Sequence, residues 1–124
     1  MSYAWIVAGA VVGAPLRYFL GSHIPAGNFG PLPVGTLLVN LSGCMLIGLV
    51  LGFAEARDSF PREARLLLVT GFLGSYTTFS AFGWETYDLM RTDEMLRAVA
   101  YVVLSVAGGI VAVWAGANLG RLAG

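Results

Sequence analysis

Asn40 lies inside Val34–Ala54, a stretch that contains no charged residue. Its amide offers two donors and an acceptor, more than its own helix can satisfy, so it needs a partner on another helix or a ligand. The other polar groups in apolar surroundings are mostly hydroxyls: Ser42, then Thr70, Ser75, Thr77, Thr78 and Ser80, then Tyr101 and Ser105. The plain reading of a lone Ser or Thr is a hydroxyl returned to a carbonyl about one turn earlier. Gly71-Phe72-Leu73-Gly74-Ser75-Tyr76-Thr77-Thr78-Phe79-Ser80 gathers glycines, threonines and serines into ten residues, which predicts a helix break. Freed carbonyls at such a break can coordinate a cation, provided protein or a cavity surrounds them. Gly74 is expected to supply the unusual backbone angles there. Phe79 and Phe82, three apart, share a helical face, which in isolation reads as packing.

This set suits hydrogen bonding and ion coordination, not covalent catalysis. The sequence offers no Ser–His–Asp set, no carboxylate pair within an apolar stretch and no phosphate-binding glycine loop. A single cysteine, Cys44, and a single histidine, His23, exclude an intramolecular disulfide and a cysteine- or histidine-rich metal cluster.

The elements that must position these residues are membrane spans. The 124 residues are 57% hydrophobic and 11% charged, with 17 glycines, where a soluble domain carries roughly 25% charged residues. About 20 apolar residues cross the hydrocarbon core as a helix. Four stretches qualify: residues 3–21, interrupted by Arg17; 34–54; 66–87, with Glu85 near its end; and 98–119. The connectors His23–Pro33, Glu55–Arg65 and Met90–Arg97 hold nearly all other charges, so residues 1–124 form a single four-helix transmembrane domain. The first span lacks the basic flank of a cleavable signal peptide.

Arg57, Arg62, Arg65 and Arg121 fall on one side of four spans, and Arg17, Arg91 and Arg97 on the other. Four against three is almost no positive-inside bias, which makes insertion in both orientations plausible. Gly9/Gly13, Gly48/Gly52 and Gly116/Gly120 each stand four apart, the spacing that lets helices approach closely in lipid, and favour a compact, oligomeric bundle.

Three ordered motifs then carry a specific resemblance. Gly13-Ala14-Pro15-Leu16-Arg17-Tyr18 resembles the GAxxR of the first helix of the Fluc/CrcB fluoride channels. Gly35-Thr36-Leu37-Leu38-Val39-Asn40 is similar to their GTLxxN. Gly71 to Phe82, followed by Glu85, is similar to the third-helix GFxGxxTTFSxF…E. The resemblance covers nearly the whole chain. It implies an all-α membrane protein with four transmembrane helices, the third broken in mid-membrane, assembled as an antiparallel, dual-topology homodimer in a bacterial plasma membrane. It implies fluoride export for fluoride resistance through two pores, around one central sodium ion. By position, the sodium would be held by main-chain carbonyls of Gly74 and Thr77. Phe79 and Phe82 would face the pores, with Asn40 beside them, Ser80 on a polar track, and Tyr101 and Ser105 as a fourth-helix pair. Arg17 would lie at the vestibule. Ala81 and Gly109 stand where many relatives carry hydroxyls, which thins that lining.

A small, strongly hydrated anion needs donors to replace its water, and the Asn40 amide with the Ser80, Ser105 and Tyr101 hydroxyls supplies them. Phenyl edges add positive polarisation, and an uncharged pore lets the ion leave. Two other classes compete on the residues alone. A proton-coupled multidrug exporter needs a carboxylate within the membrane, and Glu85 sits at a span end. A non-transporting assembly subunit would need neither Asn40 nor the break.

Overall fold

A computed structural model describes residues 1–25 and 30–124; part of the His23–Pro33 connector lies outside the described residues. Among the described residues, four helices are long and apolar enough to cross a membrane: Ser2–His23, Val34–Glu55, Arg62–Arg91 and Met95–Ala123. The sequence placed all four, but the third and fourth are longer than expected at both ends. Polar and charged residues at their ends, such as Arg62, Glu63, Asp88 and Arg91, continue the helices beyond the apolar cores.

Two tight helix pairs build the bundle, and the glycine pairs explain both. Gly48 and Gly52 of the second span face the backbone of Val113 and Ala117 in the fourth. Gly116 and Gly120 of the fourth return the contact against Met45 and Leu49. A Cβ at any of the four would strike backbone, which cannot yield as a side chain can. In the same way Gly9 and Gly13 seat the first span against Leu67, Phe72 and Ser75 of the third. All three pairs are therefore spent inside the chain, on packing its own helices.

The third span is irregular twice. Arg62–Arg65 is α-helical, Leu66–Leu73 is a π-helix, and Gly74–Tyr76 returns to α. The wider turn lies where Gly71 meets the backbone of Ile6 and Gly9, and such turns are uncommon enough to mark a special site. The chain then leaves the helix at Thr77 (φ −83°, ψ 156°) and Thr78 (φ −145°, ψ 115°) before Phe79–Arg91 resumes it. The break thus falls on the two β-branched threonines, residues that favour extended backbone. Gly74 has ordinary helical angles (φ −62°, ψ −32°), so the expectation of a glycine-only conformation there is corrected. An added Cβ at Gly74 would meet only the Val69 carbonyl, at 3.6 Å.

Candidate functional site

Breaking a helix in the membrane frees backbone groups that have no water to turn to. Here they are met mainly by side chains of other spans. The Thr78 N–H donates to Asn40 Oδ1 at 2.8 Å, and Asn40 Nδ2 donates to the Thr78 carbonyl at 3.1 Å. Arg17 Nε donates to the Ser75 carbonyl at 3.1 Å, placing a cation at the C-terminal end of the arm that stops at the break, where the helix dipole favours it. Thr78 Oγ1 accepts from Ala81 N–H at 3.2 Å and caps the second arm. The hydroxyls of Thr77, Ser75 and Ser42 do return to carbonyls three or four residues back: Leu73, Phe72 and Val39. Ser42 also meets Tyr76 Oη at 2.9 Å, a second tie between the second span and the broken one.

These exchanges have a consequence for the Gly74 and Thr77 carbonyls. Their helical donors, four residues on, would be the N–H groups of Thr78 and Ala81. Both are diverted, to Asn40 Oδ1 and to Thr78 Oγ1. The Gly74 and Thr77 carbonyl oxygens, three residues apart, thereby lose their helical donors, and neutral oxygens of this kind are the hard donor type that suits an alkali cation. Among the described residues there is no cluster of three or more His, Cys, Asp or Glu able to hold a metal.

Beside the break lies a groove of about 360 Å³, lined by Asn40, Gly43, Cys44, Leu73, Gly74, Thr77, Thr78, Phe79, Phe82 and Ser105 among others. Six of the residues singled out from the sequence thus share one wall: Asn40, Gly74, Thr77, Phe79, Phe82 and Ser105. Ser105 Oγ is the one buried side-chain polar atom without a hydrogen-bond partner among the described residues. Phe79 is 84% exposed, its ring 5.6 Å from that of Phe82. Phe82 in turn packs 5.1 Å from the ring of Tyr101. Ser80 is exposed and lies 3.4 Å from Thr78 Oγ1, outside the residues lining the groove.

Tyr101 is not among the residues lining the groove. It is fully buried, and its hydroxyl donates to Glu85 Oε2 at 2.7 Å. The other carboxylate oxygen, Oε1, accepts from Thr36 Oγ1 at 2.7 Å. Glu85 thus ties the second, third and fourth spans together, a role the sequence reading missed. The available signal was an acidic residue in a span, which is costly unless partnered. A span ending at residue 87 leaves Glu85 at its edge, whereas the helix runs on to Arg91.

A second pocket, of about 210 Å³, is lined by Arg17, Tyr18, Gly21, Ser22, Thr36, Val39, Thr78, Ala81 and Glu85. Thr78 lines both this charged pocket and the uncharged groove, so the clamped break separates them. Arg17 and Glu85 both border this pocket. This pocket is lined by residues of both charge signs, whereas the groove is lined by none.

Comparison with known proteins agrees with the motifs. The family model described as CrcB-like protein, Camphor Resistance (CrcB), matches residues 4–117. A protein of Chloroflexus aurantiacus named fluoride-specific ion channel FluC is 46% identical over 117 residues, covering 94% of this chain and 92% of the relative. One of Nitratidesulfovibrio vulgaris with the same name is 43% identical over 120 residues, 97% of each chain. One of Solibacter usitatus, also so named, is 44% identical over 121 residues, 98% of this chain and 99% of its own. With the family model and full-length relatives in agreement over four membrane-spanning helices, this chain belongs to the CrcB family of multi-pass membrane proteins.

Proposed function

We propose that the protein is a fluoride-selective channel, exporting the ion through two pores of an antiparallel, dual-topology homodimer and so conferring fluoride resistance. The observation that carries this reading is the groove in which the unpartnered Ser105 hydroxyl, the Asn40 amide and the Phe79–Phe82 pair converge with no charged side chain. Fluoride leaving water must find donors, and a hydroxyl buried without a partner is a donor already desolvated. Asn40 keeps a second N–H on Nδ2 beyond the one given to Thr78. The phenyl rings supply edges and exclude water. The absence of fixed charge in the groove keeps binding weak enough for exit.

Arg17 and Glu85 act one step earlier, in the charged pocket on the other side of the break. Tyr101 serves by holding Glu85 and by backing the Phe82 ring, while Ser80 stands on the exposed face of the second arm. That face also carries Phe79, 84% exposed, beside Gly74, which no residue of its own chain crowds closely. A second copy packed there would cover them. The near balance of arginines across the spans supports an inverted copy.

The released Gly74 and Thr77 carbonyls, two from each copy, would hold a sodium ion on the dimer axis. A bound ion would supply positive charge at the junction of four helix arms. Fluoride and chloride efflux from proteoliposomes, read with paired ion electrodes, tests the function. Fast fluoride and negligible chloride release is expected, and equal release of both, or of neither, refutes it.

A further inference from the structure

Asn40 lines the groove, yet most of its hydrogen bonding is directed elsewhere. In an unbroken helix the Thr78 N–H would donate to the Gly74 carbonyl. Here it donates to Asn40 Oδ1 at 2.8 Å, while Asn40 Nδ2 donates to the Thr78 carbonyl at 3.1 Å. One side-chain amide from the second span, 38 residues away, stands in for a peptide unit on both sides of Thr78.

We propose that Asn40 is the positioning residue of the cation site: by accepting the Thr78 N–H, its Oδ1 keeps the Gly74 carbonyl from closing a helical hydrogen bond and so keeps that oxygen available as a ligand. This rests on the reading that the Gly74 and Thr77 carbonyls hold sodium. The physical reason is the scarcity of partners at bilayer depth. A Thr78 N–H deprived of Oδ1 loses its acceptor, and the Gly74 carbonyl is its natural helical one. Closing that bond would carry the chain at Thr77 and Thr78 out of its extended conformation (ψ 156° and 115°) and consume a ligand. The Thr77 carbonyl has a separate safeguard, since Thr78 Oγ1 accepts the Ala81 N–H. Asn40 therefore governs one of the two ligands in each chain.

Only the acceptor half of the amide is needed for this task, which separates it from conduction. Asn40→Asp keeps an oxygen in the position of Oδ1 and loses the amide donors. Asn40→Leu loses both. The test is thermal unfolding of the purified dimer in detergent, with Na⁺ titrated against N-methylglucamine at constant ionic strength, beside fluoride efflux from proteoliposomes. The wild-type midpoint should rise with Na⁺. Asn40→Asp should keep its half-saturating Na⁺ concentration within about threefold of wild type while its efflux collapses, and Asn40→Leu should need at least about tenfold more Na⁺, because one of the two carbonyl ligands in each chain is consumed. An unchanged Na⁺ response in Asn40→Leu overturns the positioning role and leaves the sodium reading intact. A wild type indifferent to Na⁺ overturns the sodium reading, and the coupling with it. Should Asn40→Leu not fold, Asn40→Asp decides alone: a tenfold loss of Na⁺ response with the acceptor retained refutes the proposal.

Discussion

Removing the Tyr101 hydroxyl tests whether that group holds the bundle or meets the ion. Tyr101→Phe deletes one oxygen from a side chain with 0% exposure and leaves the ring against Phe82, 5.1 Å away. What is lost is the 2.7 Å bond to Glu85 Oε2. Hydrogen bonds to charged groups contribute about 1.5–3 kcal/mol in soluble proteins, whereas interhelical bonds in membranes average about 0.6 kcal/mol and reach about 1.7. Glu85 borders a 210 Å³ pocket that it shares with Arg17 and Ser22, room enough for a water to replace the missing donor. The loss should therefore be about 1 kcal/mol, toward the lower end of those ranges. Thr36→Val, which strips the other carboxylate oxygen of its 2.7 Å donor, should cost about the same. The double variant should lose more than the sum, by about 0.5 kcal/mol or more, because each single variant leaves the carboxylate one protein donor and the double variant leaves it neither Thr36 nor Tyr101. Reversible unfolding in mixed detergent micelles gives the three values and hence the cycle. Fluoride efflux measured in parallel should fall by less than about tenfold in Tyr101→Phe, since the hydroxyl already has its acceptor. Stability within about 0.3 kcal/mol of wild type, together with an efflux loss as deep as that of Asn40→Asp, would refute the reasoning and return the hydroxyl to the pore.

Asn40→Asp should nearly abolish fluoride efflux in a folded dimer, because a carboxylate removes the donors and repels the anion; unchanged efflux would place Asn40 outside the path. Gly116→Ile drives a branched side chain into the backbone of Met45 and Leu49 and should cost about 3 kcal/mol or leave the protein unfolded, whereas Gly83→Ala, with nothing within 4 Å of its added carbon, should show no loss in the monomer's own unfolding. Thr77→Ser should preserve the Na⁺ response, since the proposed ligand is its carbonyl and a serine hydroxyl can still donate to Leu73; a lost response would implicate the threonine side chain. Two lysines added after Gly124 should bias insertion and depress efflux if both orientations are required, and single-sided labelling of the wild type would defeat the antiparallel dimer.

The sequence by itself determined the class of the protein. Four uncharged or nearly uncharged runs of about 20 residues can satisfy their backbone in lipid only as helices, so span number and order follow from composition. The break was legible for a local reason: glycines, threonines and serines in succession weaken the helix, and it opened at Thr77-Thr78 within the stretch that composition marked. The same local logic failed for Gly74, whose backbone is ordinary helix. Motif resemblance brought Asn40, Phe79, Phe82, Ser105, Gly74 and Thr77 to attention, and the fold set all six on one groove.

Tertiary structure decided where each polar group is spent, because partnership in a membrane is settled between helices and leaves no periodic trace along the chain. Asn40 and Thr78 are 38 residues apart, and Thr36 and Glu85 are 49 apart. Nothing local distinguishes the Ser105 hydroxyl, left without a partner, from that of Ser42, bonded twice. Glycine pairs that read as close helix contacts pack helices of the one chain, since a small-residue stripe specifies close approach but not which helix approaches. The carbonyls proposed as cation ligands are the sharpest case. Every helix carries such oxygens, and only the diversion of the Thr78 and Ala81 N–H groups to side chains released these two.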